Sequence, residues 1–345
     1  MEYVFDQIIT IPSQHSAYTA ESKPRRDIMR ILEKNGCVPI GLYESFNIPK
    51  LTSLNFVRRY LWMSLRIKKG DILYYQYPLM VSCLPYFLLL LSVLKEKGVR
   101  LICIIHDLDY IRLKESNKIK DYTNKFIKGI SLSDVTIAHT PAMKAHLQEK
   151  GIKNEIRVLY LFDYLSLDGF CDSSYSKAHR NEIVFAGNLT KSKFLRELNN
   201  YKFSYAKFNL YGIDPQIDYS ESVIYKGKFL SDNVSVIKGG WGLVWDGDSI
   251  ETCSGLYGDY LRYNSPHKMS LYITAGIPVI VWSKSGLAGW ILSNNLGIAI
   301  NSLTELDEVL ANIDDGTYGI IQNNIRIFSE KLRKGKMILQ VLNLY

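Results

Sequence analysis

Residues 239–283 constrain this chain more tightly than any other stretch. Gly240-Trp241-Gly242-Leu243-Val244-Trp245 is a short apolar strand that runs into an acidic turn, Asp246-Gly247-Asp248. After a polar loop to Tyr263, Asn264-Ser265-Pro266 reads as a helix start. Ser265 is the expected N-cap, and Pro266 takes the first helical position, where its missing N–H costs nothing. Ala275-Gly276 stops the helix, and Pro278 opens a second buried strand, Val279 to Trp282. His267, Lys268 and Met269 then occupy the first helical turn, among N–H groups that lack intrahelical partners. That turn is an anion site by virtue of the helix dipole, and Lys268 adds a full charge to it.

The same alternation runs through the whole chain. Strands are expected at Tyr3–Thr10, Val38–Gly41, Asp71–Gln76, Val99–Ile105, Val135–Ala138 and Ile156–Leu161. A second series follows at Glu182–Ala186, Lys207–Tyr211, Val223–Lys226, Trp241–Trp245, Val279–Trp282 and Gly297–Ile300. Helical patterns separate them near 23–35, 54–68, 82–97, 118–132 and 141–150, then 193–201, 231–238, 266–275, 287–294, 303–313 and 317–329. Leu101-Ile102-Cys103-Ile104-Ile105 is apolar throughout, as a central strand buried on both faces must be. The expected class is α/β with two Rossmann-like domains, 1–165 and 182–330. Residues 166–181, rich in Ser and Asp, form the linker, and a C-terminal helix at 331–345 is placed to pack back on the first domain. Open parallel sheets bind ligands beyond the carboxyl ends of their strands, so two in series are expected to line a cleft.

Composition narrows the function classes. Five scattered cysteines without a C-x-x-C pair argue against a disulfide framework or a zinc site and for a reducing compartment. The run Leu84 to Leu94 is too short to span a bilayer, which needs ~20 residues, and reads as a buried helix. The N-terminus passes directly into a strand-like run without a signal-peptide pattern, so a cytoplasmic location is expected. The excess charge is one-sided. Residues 1–165 carry 24 Lys and Arg against 16 Asp and Glu, an excess of 8, whereas 166–345 carries 18 of each. No nucleic-acid-binding motif accompanies that charge, and nucleic acid is not an expected partner. An anionic membrane met peripherally at its inner face, or a lipid-linked phosphate, is.

The run Ser265-Pro266-His267-Lys268-Met269 through Ala275-Gly276-Ile277-Pro278-Val279 resembles the nucleotide-sugar motif of bacterial GT-B glycosyltransferases. It is closest to the galactofuranosyltransferase-like group, which also includes glucosyltransferases that extend sugars on adhesins. Ile105-His106-Asp107 and Phe185-Ala186-Gly187-Asn188 carry weaker marks of the same likeness. The resemblance implies a UDP-sugar donor, a saccharide or lipid-linked glycan acceptor, and no cofactor. It leaves the oligomeric state open, a homo-oligomer included.

On that basis Pro266, His267 and Lys268 are expected to hold the donor diphosphate. Gly187, Asn188, Thr190 and Lys191 follow the strand that opens the second domain, and Tyr211 sits where it could flank the nucleobase. Asp246 and Tyr263 bound a loop whose carboxyl and hydroxyl groups suit a sugar ring. The family's β-product enzymes invert the donor's α-linkage and need a base at the acceptor hydroxyl. Asp107 is the first candidate, with His106 and Asp109 behind it. His15, Ser16 and Tyr18 are the acceptor-side candidates, although that loop lacks the glycines usual in the family. Asp246-Gly247-Asp248 has Asp-x-Asp spacing but precedes the lysine helix, so no metal is expected. A nucleotide-sugar epimerase and a nucleotide-binding subunit without catalysis remain as alternatives.

Overall fold

A parallel strand in mid-sheet is covered on both faces, so its sequence is apolar at every position. The computed structural model forms a strand at each of the twelve places where one was expected. It describes residues 1–10, 22–45, 49–79, 83–112, 117–168, 179–213 and 219–344. The first six strands are β1 (Glu2–Thr10), β2 (Val38–Ser45), β3 (Ile72–Tyr77), β4 (Arg100–Ile105), β5 (Val135–Ala138) and β6 (Glu155–Val158). They make one parallel sheet in the order β2-β1-β3-β4-β5-β6. The second sheet holds β7 (Glu182–Gly187), β8 (Lys207–Gly212), β9 (Val223–Gly227), β10 (Trp241–Val244), β11 (Val279–Trp282) and β12 (Gly297–Ile300). Its order is β12-β11-β10-β7-β8-β9, again all parallel.

Each order reverses direction once, between β1 and β3 in the first sheet and between β7 and β10 in the second. Those are the places where an open α/β sheet leaves a crevice beyond its strand ends. The chain divides into two compact units. One holds Ser22–Leu159 with the strand before it and the residues from Leu339 onward, and the other holds Tyr160–Ile338. Leu101 to Ile105 are almost wholly buried, as a central strand requires. The helix Leu84–Glu96 buries Leu84, Phe87, Leu88, Leu90, Leu91 and Leu94 in the first core.

Some expectations are corrected. Residues 231–238 do not form a helix; only Val234–Val236 makes a 3₁₀ turn. The reason is local competition for hydrogen bonds. Ser235 N–H donates to the Asp168 carboxylate, Ser235 Oγ donates to Asn233 Oδ1, and the Asp232 carbonyl accepts from Leu167 N–H. The same contacts tie the described start of the 166–181 segment to the second unit.

The terminal helix does not begin at Lys331. Asp315–Arg333 is one continuous helix, started by Asp314, whose carboxylate accepts from Thr317 N–H. Gly335, at φ 72°, ends it, and a second helix runs over Lys336–Leu342. The Asp163 carboxylate starts that second helix by accepting from the N–H groups of Met337 and Ile338 at 3.0 and 2.7 Å. Its end returns to the first unit, where Arg157 Nη1 donates to the Val341 carbonyl at 2.9 Å. Two short helices, Asp109–Arg112 and Gly255–Tyr260, have no counterpart in the sequence reading.

Candidate active site

The second sheet opens where its order reverses. β7 and β10 pair only at Ile183–Trp241 and Val184–Gly242, and beyond that point the Tyr272 side chain stands between them. Its hydroxyl accepts from Ala186 N–H at 2.8 Å, a donor that would otherwise have a neighbouring strand. Gly242 makes the space, since a Cβ there would lie 2.3 Å from the Tyr272 ring. Both Tyr272 and Ala186 are buried. Tyr272→Phe should therefore strand a buried N–H and destabilise the protein by about 1–3 kcal/mol. A thermal melt equal to wild type would show that the hydroxyl does not hold the two strands apart.

Tyr272 lies on the helix His267–Thr274, which starts one residue later than expected. Pro266, with ψ 131°, takes the cap position expected of Ser265, and its ring has no polar group to offer the helix. The other end of this helix is charge-matched. Arg333 Nη2 donates to the Thr274 carbonyl at 2.7 Å and Ser329 Oγ to the same oxygen at 2.9 Å, a cation against the negative end of the dipole.

Lys268, in the first turn, reaches back to the end of β10. Its Nζ donates to the Trp245 carbonyl at 3.2 Å and to both Asp246 oxygens at 3.2 and 3.3 Å. It also lies 4.6 Å above the centre of the Phe185 ring, which comes from β7. One ammonium thus joins the two strands that flank the crevice. The helix Phe194–Asn200 completes the frame through Glu197, whose carboxylate accepts from Ser249 Oγ and Ile250 N–H at 2.9 and 3.0 Å.

The remaining donor-side residues divide into two groups. Gly187, Asn188, Thr190 and Lys191 are exposed at the end of β7. The Asn188 side chain accepts from Lys191 N–H at 3.1 Å and shapes that turn. Gly187 pairs in register with Gly212, where a Cβ would sit 2.1 Å from the Gly187 carbonyl, so the strand ends close on each other only with glycine at 212. Tyr211 is buried, and its hydroxyl accepts from Lys238 N–H at 3.1 Å. Burial raises its pKa, and its side chain belongs to the core. Tyr263 is half-buried at the end of the acidic loop. The His267 ring stacks on Tyr164 at 4.7 Å and meets Phe162 edge-on, so it packs against the segment that enters this unit. Phe185, Glu197 and Tyr272 are absent from the sequence-based set. Phe185 lies inside the Phe-Ala-Gly-Asn run quoted above and was legible there only as a strand residue.

In the first unit His106 and Asp107 follow β4, both half-buried, and Asp109 begins the short helix Asp109–Arg112. The hydrogen bonds around His106 define its tautomer. Gln76 Nε2 donates to the Arg25 carbonyl at 3.1 Å, so Gln76 Oε1 faces His106 Nε2 at 2.8 Å and can only accept. Nε2 therefore carries the proton, and that nitrogen is not a base. Arg25 is itself fixed by Asp6 at 2.8 Å and by the Pro78 carbonyl at 2.6 Å. Lys23, from the same basic cluster, is fully buried against Asp27 at 3.0 Å. Two of the three charged side chains at 23–26 thus serve the interior, not the surface. On the far side of β4, buried His139 donates through Nε2 to the Ile105 carbonyl at 2.9 Å, and burial lowers its pKa to about 4. The strand end that carries Asp107 is thus held from both flanking strands. His15, Ser16 and Tyr18 lie outside the described residues.

Comparison with known proteins agrees with this division. Residues 6–161 match the family model for the glucosyltransferase 3-like N-terminal domain, and residues 183–344 match that for the C-terminal domain. The beta-1,6-galactofuranosyltransferase WbbI of Escherichia coli is 30% identical over 283 residues, covering 80% of this chain and 79% of that protein. Glucosyltransferase 3 of Streptococcus gordonii is 24% identical over 322 residues, covering 92% and 91%. Among solved structures, the trehalose-6-phosphate synthase OtsA superposes with a TM-score of 0.55 at 10% identity, over 100% of this chain and 99% of that one. S. aureus TarM, in a complex that includes UDP, gives 0.51 at 14% identity over 84% and 58%. These two likenesses establish the GT-B fold, with its two Rossmann-like domains. The relatives set the epimerase alternative aside: the chain belongs to the glucosyltransferase 3-like and galactofuranosyltransferase-like family of GT-B glycosyltransferases.

Proposed function

We propose that the protein transfers a hexose, galactofuranose first and glucose second, from a UDP-sugar to a saccharide or lipid-linked glycan acceptor during surface glycan assembly. The observation that carries this reading is Lys268. It sets an ammonium in the first turn of a helix at the point where the second sheet reverses its order. Such a site offers a departing diphosphate one ammonium and the partial positive charge of a helix N-terminus, and the Asp246 carboxylate is already engaged by the lysine.

In this reading the acceptor oxygen bonds to the anomeric carbon as the bond from that carbon to the UDP oxygen breaks. The electron pair leaves with UDP, and the acceptor's proton goes to the Asp107 carboxylate. The name of the E. coli relative specifies a β-linked product; reaching one from an α-linked donor requires inversion, hence a base and no covalent intermediate.

The test is to incubate the protein with UDP-galactofuranose and with UDP-glucose, each with saccharide acceptors, and to measure UDP release and coupled product. Product from either donor with inverted anomeric configuration is expected. Tight UDP binding without turnover on any donor would instead support a subunit without catalysis.

A further inference from the structure

We propose that the first unit docks on an anionic lipid bilayer through the outer faces of its helices Pro49–Arg66 and Leu84–Glu96. The two helices pack side by side, with the Phe56 and Tyr86 rings 6.1 Å apart and Lys97 Nζ donating to the Ser64 carbonyl. Their inner faces are ordinary core: Phe56, Met63, Phe87 and Leu91 are buried. Their outer faces are not ordinary surface. Val57, Leu61 and Leu65 recur at every fourth residue and are 40%, 53% and 78% exposed, and Tyr86 and Leu89 on the second helix are 47% and 56% exposed. Five large apolar side chains on two neighbouring helices lack any covering element among the described residues.

The charge beside them identifies the occupant. Residues 49–70 hold six Lys and Arg and no Asp or Glu. Arg58, Arg59, Arg66, Lys68 and Lys69 are exposed, on or directly after the helix that carries the leucine stripe. Apolar side chains within a one-sign basic field match the acyl–headgroup boundary of an anionic bilayer, where leucines enter the hydrocarbon and arginines meet phosphates. A second copy of this chain fits worse. A two-fold contact through this face would set the same five cations against themselves, with Glu96 at the end of the second helix the one carboxylate on either helix. The contact would lie on the surface, since among the described residues no helix is long and apolar enough to cross a membrane.

Co-sedimentation of the full chain with phosphatidylglycerol and with phosphatidylcholine vesicles tests this. Binding to the anionic vesicles should exceed binding to the neutral ones at least tenfold at low salt and fall at least tenfold in 0.5 M salt, since exposed charges are screened. Leu61→Ser with Leu65→Ser keeps every charge and should cut anionic binding about tenfold. Arg58→Gln with Arg66→Gln should do the same. Lys226→Gln, an exposed lysine of the other unit, should change nothing. All five positions are exposed, so thermal melts should match wild type. Three results would overturn the proposal: equal indifference to both vesicle types, full anionic binding by the leucine variant, or a concentration-dependent dimer that the leucine variant abolishes without vesicle binding.

Discussion

Asp107→Asn should lower the rate of sugar transfer by about 10²-fold or more while UDP affinity stays within a few-fold of wild type. The substitution keeps the shape of the side chain and removes its capacity to take a proton. Its surroundings make the result interpretable. The Ile105 carbonyl is held by His139, and His106 by Gln76 and the Tyr77 carbonyl, so the turn has little freedom to rearrange around an amide. His106 stands behind Asp107 as the base: with its Nε2–H donated to Gln76, only Nδ1 could take the proton. His106→Ala, which also removes that hold on the strand end, should cost less kcat than Asp107→Asn. Wild-type kcat in Asp107→Asn would move the role to His106, to Asp109 at the start of the short helix, or to a residue outside this set.

The strands were legible because burial on both faces writes itself into consecutive residues, as in Leu101 to Ile105. Their order in the sheets was not. Nothing in β7 announces that its neighbour is β10, or that the two part after Val184 and Gly242 to admit Tyr272. Lys268 in the first turn of a helix was legible from Pro266 and the glycine stop, since both are local signals. Its partner was not: Asp246 lies 22 residues upstream, and only the crossover brings the two together. Tyr211 shows the opposite limit. A tyrosine at a strand's carboxyl end looks like a ligand contact until the strand's own pleat turns it inward to the Lys238 amide. The failed helix at 231–238 has the same origin, because the Ser235 N–H goes to the carboxylate of Asp168, 67 residues upstream.

Lys268→Ala should weaken UDP binding by about 2–4 kcal/mol, the range for removing one partner from a partly buried charge pair. Fold stability should change little, because the pair it breaks retains 16% and 29% side-chain exposure and the helix keeps its packing and its Arg333 cap. Unchanged UDP affinity, measured by calorimetry, would place the diphosphate elsewhere. Asp246 supplies the control. Its carboxylate holds the ammonium, so an incoming diphosphate competes with it for the same charge. Asp246→Asn removes the competitor and should bind UDP as tightly as wild type or more so. If Asp246 then turns to a sugar hydroxyl, the same variant should bind the UDP-sugar less tightly relative to UDP. A loss of UDP affinity in Asp246→Asn as large as that in Lys268→Ala would mean that the carboxylate orients the lysine and does not compete with the ligand.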